Sequence, residues 1–261
     1  METRSVALKV ARFRELHAAP EPFVVPNPWD AGSARRLAEL GFPALATSSA
    51  AVAGVLGHED YGVTREESLA AAHSIVEAVE LPVSADLENG FGDTPEDVAQ
   101  TVGRASEVGL AGCSIEDAKG GESLYDMGLA VERIVAAVEA SQDREVPMVL
   151  TARVEHYLQP DGSDGLADTI KRLQAYADAG ADVLFAPGLN DLAALRELCA
   201  AVGKPVSAIG SMGGGAVSVA ELAEVGVKRI STAASLYSVA MAGLRAAAIE
   251  VRAHGTFGYA K

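Results

Sequence analysis

The sequence predicts an α/β fold, a (β/α)8 TIM barrel built as a single domain over residues 1–261, with an N-terminal helix ahead of it and a C-terminal helix after it. Three observations point there. Eight short apolar runs alternate with amphipathic stretches along the chain. The runs are almost continuously apolar, as strands covered on both faces are. No Pro/Ser-rich linker or low-complexity tract breaks the series. Eight such units in about 250 residues favour a closed barrel over an open doubly wound sheet.

The stretch 4–18 carries apolar residues at helical spacing and reads as the first helix. The predicted strands are FVVP (23–26), ALATS (44–48), PVSAD (82–86), GCSIE (112–116), PMVLTAR (147–153), DVLFA (182–186), PVSAIG (205–210) and KRIST (228–232). Between them, stretches such as SARRLAELG, PEDVAQTVGRASEVG and ADTIKRLQAYADAG have the apolar period of helices that cover a sheet. Gly41, Gly109, Gly180, Gly203 and Gly226 stand where a left-handed residue ends a helix before the next strand. The final stretch, SLYSVAMAGLRAAAIEVRAHG, is rich in small residues and apolar on more than one face. That pattern suits a helix buried between subunits, and a homotetramer is expected.

Composition narrows the function. Lys plus Arg number 21 and Asp plus Glu 36, a formal charge of −15. This excludes the basic footprint of nucleic-acid binding and argues against anionic membrane surfaces. A small anion can still be drawn to a local cation. The N-terminus has no apolar core of a secretory signal, and no apolar run approaches the roughly 18 residues of a membrane span. Only Cys113 and Cys199 are present, so a disulfide framework is not expected and a cytoplasmic location is. Cys113 lies in an apolar strand and reads as packing.

In a barrel, the C-terminal ends of the strands and the loops after them build the active site. Acids recur at these ends: Asp60 after the second strand, Asp86 and Glu88 after the third, Glu116 and Asp117 at the fourth, Glu155 after the fifth. Asp86 and Glu88 are two apart, so continued strand would aim both side chains the same way, a pair that repels itself without a cation or proton between. Hard oxygen ligands of this kind suit Mg²⁺ or Mn²⁺. Arg153 ends the fifth strand and offers a planar fork for a carboxylate or phosphonate. His58 and His156 fall in loops near the predicted mouth, and SMGGG (211–215) could cradle a carboxylate with backbone amides. The segment from Lys119 to Gly128 reads as a lid.

These residues carry a resemblance to the isocitrate lyase/phosphoenolpyruvate mutase superfamily over essentially the whole chain. SADLENGFGD resembles that family's Asp-x-Asp-x-Gly-Tyr/Phe-Gly metal segment, with Glu88 for the second Asp. CSIED resembles its strand-4 Ile-Glu-Asp, TARVE its strand-5 Ala-Arg, and SSAAVAGVLGHEDYGVT its strand-2 segment. The resemblance implies Mg²⁺ ligated directly by Asp86, with Glu88, Glu116 and Asp60 holding its waters. It implies that Ser48, Ser49 and Ala50 donate to a substrate carboxylate and that Arg153 binds the substrate's anionic oxygens. Arg153, Asp60 and Glu116 would then carry the chemistry, and the last helix would be exchanged with a neighbouring subunit.

The departures set the substrate expectation. Isocitrate and methylisocitrate lyases carry Lys-Lys/Arg-Cys-Gly-His after strand 4, where this chain has AKGGESLYDMG. The mutase's Lys-x-Asn-Ser lid pattern is absent too, and Pro187 stands where larger-substrate lyases have a Glu after strand 6. The expected activity is therefore a Mg²⁺-dependent cleavage or formation of a C–C bond beside an α-oxo carboxylate, through a stabilised enolate. The substrate would be a small α-oxo or 2-hydroxy dicarboxylate, in a lyase or an oxaloacetate-type decarboxylase. Two alternatives stay open: a P–C bond enzyme on phosphonopyruvate or phosphoenolpyruvate, and a non-catalytic α-oxo acid binding protein.

Overall fold

The computed structural model describes residues 3–159, 165–211 and 217–260. In chain order the first half comprises α1 (Thr3–Ala18), β1 (Phe23–Val25), α2 (Ala31–Glu39), β2 (Leu45–Ala46), α3 (Ser49–Leu56), α4 (Arg65–Ala78), β3 (Val83–Asp86), α5 (Pro95–Glu107) and β4 (Gly112–Glu116). A hairpin of β5 (Ala118–Lys119) and β6 (Ser123–Leu124) follows, then α6 (Met127–Gln142), β7 (Val149–Arg153) and a short 3-10 turn. The chain continues as α7 (Leu166–Asp178), β8 (Val183–Phe185), α8 (Leu192–Ala201), β9 (Val206–Ile209), α9 (Val219–Glu224), β10 (Arg229–Ser231) and α10 (Ser235–His254).

The eight predicted strands form one parallel sheet in the order β1-β10-β9-β8-β7-β4-β3-β2. Its two ends meet. The Ala46 amide donates to the Pro26 carbonyl at 3.2 Å, and the Asn27 side-chain amide donates to the Thr47 carbonyl at 2.9 Å. The Asn27 side-chain oxygen in turn accepts from the Ser231 hydroxyl at 2.9 Å and the Thr232 amide at 3.1 Å. One buried Asn thus stitches β1, β2 and β10 together, using both the donor and the acceptor of its side chain. The result is a nearly closed (β/α)8 barrel.

The floor of the barrel is plugged by α1. Its Val10 and Phe13 pack with Phe23, Val25, Ala44, Ala46, Ala111, Val149 and Val183, which lie low in the strands. Gly112 is required there: a Cβ would lie 2.6 Å from the Val149 carbonyl and 2.9 Å from the Phe13 ring. The outer helices close over a larger apolar layer. Their starts are fixed by capping boxes, Thr64 with Glu67, Thr94 with Asp97 and Ser218 with Glu221, each contributing about 1 kcal/mol. Of the five predicted helix-ending glycines, Gly41, Gly109, Gly180 and Gly226 have positive φ. Gly203 does not, because α8 ends in an extended Val202.

Helix α10 has no buried residue, and its Val239, Leu244 and Ile249 are 70%, 62% and 54% exposed. Among the described residues no helix is long and apolar enough to cross a membrane.

Candidate active site

The C-terminal mouth of the barrel opens into a cavity of about 290 Å³ whose lining includes Ser48, Ser49, Ala50, Asp60, Asp86 and Arg153. Ser48 is the N-cap of α3, in extended conformation and with its side chain free of any capping bond. The first amides of α3 therefore face the cavity with the positive end of the helix behind them. The Ser49 amide donates to the Asp86 carboxylate at 3.3 Å, so this donor is engaged by the protein rather than free for a ligand.

Asp86 ends β3. Its own amide donates to the Thr47 hydroxyl at 3.0 Å, and its carboxylate accepts from the Glu88 amide at 3.3 Å and Arg153 Nη1 at 3.2 Å. Arg153 ends β7, two strands away. Its Nε and Nη2 take both oxygens of Glu155, and Nη1 also lies 3.5 Å from Glu116. Burial works against the charge of Arg153, but Glu155, Glu116 and Asp86 outweigh it and hold the guanidinium firmly protonated. The Phe185 ring covers its remaining face at 5.7 Å.

The other acids stand one step back. Glu88 was expected to point with Asp86, yet β3 ends at Asp86 and Glu88 takes a left-handed backbone, φ 50°. Glu88 is not among the residues lining the main cavity but lines an adjoining recess with Tyr61 and Gly120, its carboxyl still within reach of the Asp86 and Asp60 charges. Burial, then the charges of Asp86 and Asp60, push its carboxyl up to about 8. Glu116 is 2% exposed and held above the usual carboxylate range, first by burial. Asp60 is an exposed residue at the rim that lines the cavity; burial raises its carboxyl, against a hydrogen bond from Ser49. Asp117, beside Glu116, faces the opposite way. It accepts from Tyr176 at 2.6 Å, Arg172 at 3.2 Å and the Glu155 amide at 2.9 Å, a buried brace that fixes Glu155.

A divalent cation would fit this arrangement only with few direct protein ligands. Among the described residues no three acids, histidines or cysteines gather closely enough to enclose an ion directly. Buried oxygens of Glu88 and Glu116 nevertheless lack hydrogen-bond partners, and the donors are all hard carboxylates. Mg²⁺ takes one or two carboxylates and keeps several waters, so Asp86 as direct ligand and Glu88 and Glu116 through water is the fitting assignment.

This electrostatics has a pH signature. A carboxyl raised in the fold stabilises it fully below the unfolded value of 4.5, and that contribution is lost as pH rises through about 8. Glu116 and Asp60 act in the same direction. Thermal denaturation in EDTA should therefore show stability falling between pH 5 and pH 8. The stabilisation added by Mg²⁺ should widen over the same window, since the ion requires the ionised forms. A Glu88→Gln protein should flatten both trends; an unchanged slope would mean Glu88 does not titrate there.

The remaining expected residues divide. His58 is exposed, 4.0 Å from Glu67, and His156 opens the 3-10 turn, 4.0 Å from Asp168; neither lines the cavity. Cys113 is fully buried, and burial pushes its thiol up to about 12. Pro187 lines the cavity. The lid segment forms the β5–β6 hairpin, tied by Lys119 to Asp93 at 3.0 Å. Tyr61 packs so closely on Gly121 that a Cβ would meet its ring at 2.6 Å. Of SMGGG, only Ser211 lies within the described residues. The structure adds Thr47, Tyr61 and Arg229 to the site, none singled out by the sequence, and places the expected Glu155 against Arg153.

A carboxylate cluster around a buried arginine, at the strand-end mouth of a parallel barrel, defines the class: a (β/α)8 barrel with a charged cavity at the C-terminal ends of its strands. The family model described as phosphoenolpyruvate phosphomutase matches residues 13–252. The chain belongs to that family, within the isocitrate lyase/phosphoenolpyruvate mutase superfamily. It is 38% identical over 242 residues to an uncharacterized protein of Mycobacterium tuberculosis, covering 92% of this chain and 88% of the other. It is 32% identical over 206 residues to 2-methylisocitrate lyase of Escherichia coli, covering 75% and 68%. Among solved structures, a Burkholderia cenocepacia protein described only as a lyase/mutase superposes with a TM-score of 0.94 at 47% identity, covering 98% and 92%. A 2,3-dimethylmalate lyase gives 0.87 at 31% identity, covering 97% and 90%. Oxaloacetate acetylhydrolase with its product oxalate gives 0.87 at 27% identity, covering 97% and 89%.

Proposed function

We propose that this barrel is a Mg²⁺-dependent carbon–carbon lyase acting on a small α-oxo or 2-hydroxy dicarboxylate, oxaloacetate or a C3-substituted relative. One observation carries the reading: the cavity of about 290 Å³ holds Asp86 and Arg153 together under the start of α3, while no Cys or His is among its described lining residues. That volume is at the low end for ligand sites and suits a four- or five-carbon acid better than a tricarboxylate. Relatives whose names include oxaloacetate and dimethylmalate support the same size class.

When bound, Mg²⁺ would polarise the α-oxo group and stabilise the enolate left when the bond to C3 breaks. Asp86 would hold the ion, with Glu88 and Glu116 orienting its waters. The Ser48 hydroxyl and the Ala50 amide would take the substrate carboxylate at the helix start. Arg153, locked by Glu155 and shielded by Phe185, would meet the oxygen on which charge develops and need not reorganise to do so. Loss of CO₂ requires no proton at the leaving group, which suits a cavity without a thiol or imidazole. The cytoplasmic expectation belongs to this proposal and rests on the two unpaired cysteines.

Steady-state assays with Mg²⁺ and an acid panel test the reading. Oxaloacetate, or a C3-substituted relative, should be consumed, with isocitrate and 2-methylisocitrate inert. Efficient cleavage of either tricarboxylate with oxaloacetate inert would overturn it. Phosphate release from phosphonopyruvate would favour the P–C alternative instead, and oxalate binding without any turnover the binding-protein alternative.

The assembly proposal is a homotetramer. The exposed Val239, Leu244 and Ile249 of α10 support a helix covered by another subunit, as does the absence of any buried residue on it. Light scattering at micromolar concentration should give a multiple of the monomer mass; a monomer would overturn this.

A further inference from the structure

The cavity contains a second cation that the proposed chemistry leaves without work. Arg229 lines it from the start of β10 and is only 6% exposed. Its Nη1 donates to the Thr151 hydroxyl at 3.1 Å, and its Nε has no partner. Among the described residues it has no ion pair with any carboxylate, whereas Arg153 faces three.

Its depth follows from the sheet. Thr151 and Arg153 are both on β7 and two residues apart, so they share the inner face and differ in height by about 7 Å. Arg229, bonded to Thr151, therefore lies one layer below Arg153. The Phe13 ring of the α1 plug lies beneath it, 5.6 Å from the guanidinium. Ser207, its register partner on β9, faces the same cavity.

Asp86 acts on Arg229 through space and favours its charge, but makes no ion pair with it among the described residues, and the other groups nearby do not neutralise it. His17 is driven down to about 3 by burial and by Arg229 itself, so its imidazole is neutral. The Cys113 thiol, pushed up by burial, is neutral too. Burial lowers Arg229 to about 10, which still leaves it cationic at neutral pH. A buried guanidinium without a carboxylate in contact is costly. A carboxylate bound between Arg229 and Thr151 would supply the missing partner in a charge-assisted fork.

We infer that Arg229 is a second anion-recognition residue, receiving the distal carboxylate of a four-carbon dicarboxylate whose α-oxo or 2-hydroxy acid end lies at Asp86 and Arg153. The inference rests on the proposed function and adds to it the residue that selects a dicarboxylate over a monocarboxylate. Arg153 and the start of α3 read the reacting end; Arg229 reads the length of the chain. A ligand as short as oxalate would occupy the upper layer and leave Arg229 untouched.

The experiment compares (S)-malate, long enough to span both layers and checked to be unconsumed during the titration, with oxalate, by calorimetry in saturating Mg²⁺. Arg229→Gln should weaken malate by tenfold or more and oxalate by less than twofold, the retained oxalate affinity reporting an intact upper site. Arg229→Lys, which keeps charge in the cavity but loses the fork, should fall between. If Arg229→Gln does not fold, a crystal of the wild-type protein with Mg²⁺ and malate decides: the second carboxylate should lie about 3 Å from the guanidinium. Equal losses for malate and oxalate, or a malate carboxylate directed away from Arg229, would overturn the assignment with the function intact. Failure of the wild-type protein to bind oxalate would overturn the enolate-site reading and this inference together.

Discussion

Replacing Asp86 by Asn is expected to take Mg²⁺ affinity below calorimetric detection, at least 100-fold, whereas Glu116→Gln should cost about 10–100-fold, the range typical of groups that orient a ligand shell. The asymmetry comes from position. Asp86 lines the cavity and ends a strand that also sets its backbone, through the Thr47 hydroxyl at 3.0 Å. Glu116 is 2% exposed, set behind Arg153, and reaches an ion through water. The folded state should survive the Asp86 change, because Arg153 keeps Glu155 and Glu116 as counter-charges. Glu88 should relax toward an ordinary carboxyl, since the Asp86 charge is a cause of its elevation second only to burial. A shallower pH slope in EDTA would then accompany loss of metal binding. Unchanged Mg²⁺ affinity in both variants would remove the metal assignment.

The strands were legible because parallel barrel strands are buried on both faces, so their apolar runs are nearly unbroken and need no period to be seen. Arg153 and Asp86 were legible for a related reason: a charge that ends such a run has nowhere to go but the mouth. Glu88 was misdirected because alternation holds only while the strand continues, and its left-handed backbone ends that rule after Asp86. Helix α3 was missed because SAAVAGVL is apolar all round, with Ala51, Val52 and Ala53 buried, and so carries no helical stripe. Arg229 was missed because Lys-Arg at a strand start reads as solvent-facing. Its inward direction is fixed by register with Ser207 and Phe23, a long-range fact that no local window contains. Tyr61 is similar: its closeness to Gly121 joins segments 60 residues apart.

Arg153→Lys should lower affinity for oxalate in the presence of Mg²⁺ by about 10–100-fold, about 1.4–2.8 kcal/mol, despite the conserved charge. The guanidinium spans Glu155 with two nitrogens while Nη1 addresses Asp86 at 3.2 Å and Glu116 at 3.5 Å. An ammonium is a single point of charge and cannot meet both sides at once. Pulled to Glu155, it abandons the cavity; directed into the cavity, it leaves Glu155 buried and unpaired. Arg153→Met removes the charge altogether and leaves Glu155 and Glu116 facing each other at about 1% side-chain exposure each. Breaking a buried pair this way costs about 3–5 kcal/mol, and burial together with the lost cation should drive both carboxyls toward protonation. The Met variant should therefore melt lower at pH 8 than at pH 6 by a wider margin than the wild type. The Lys variant separates the two roles of the residue. Oxalate affinity that falls while melting temperature and Mg²⁺ affinity stay close to wild type marks Arg153 as a ligand-binding group. Oxalate affinity equal to wild type would show that the arginine serves only to hold Glu155 and Glu116 in place.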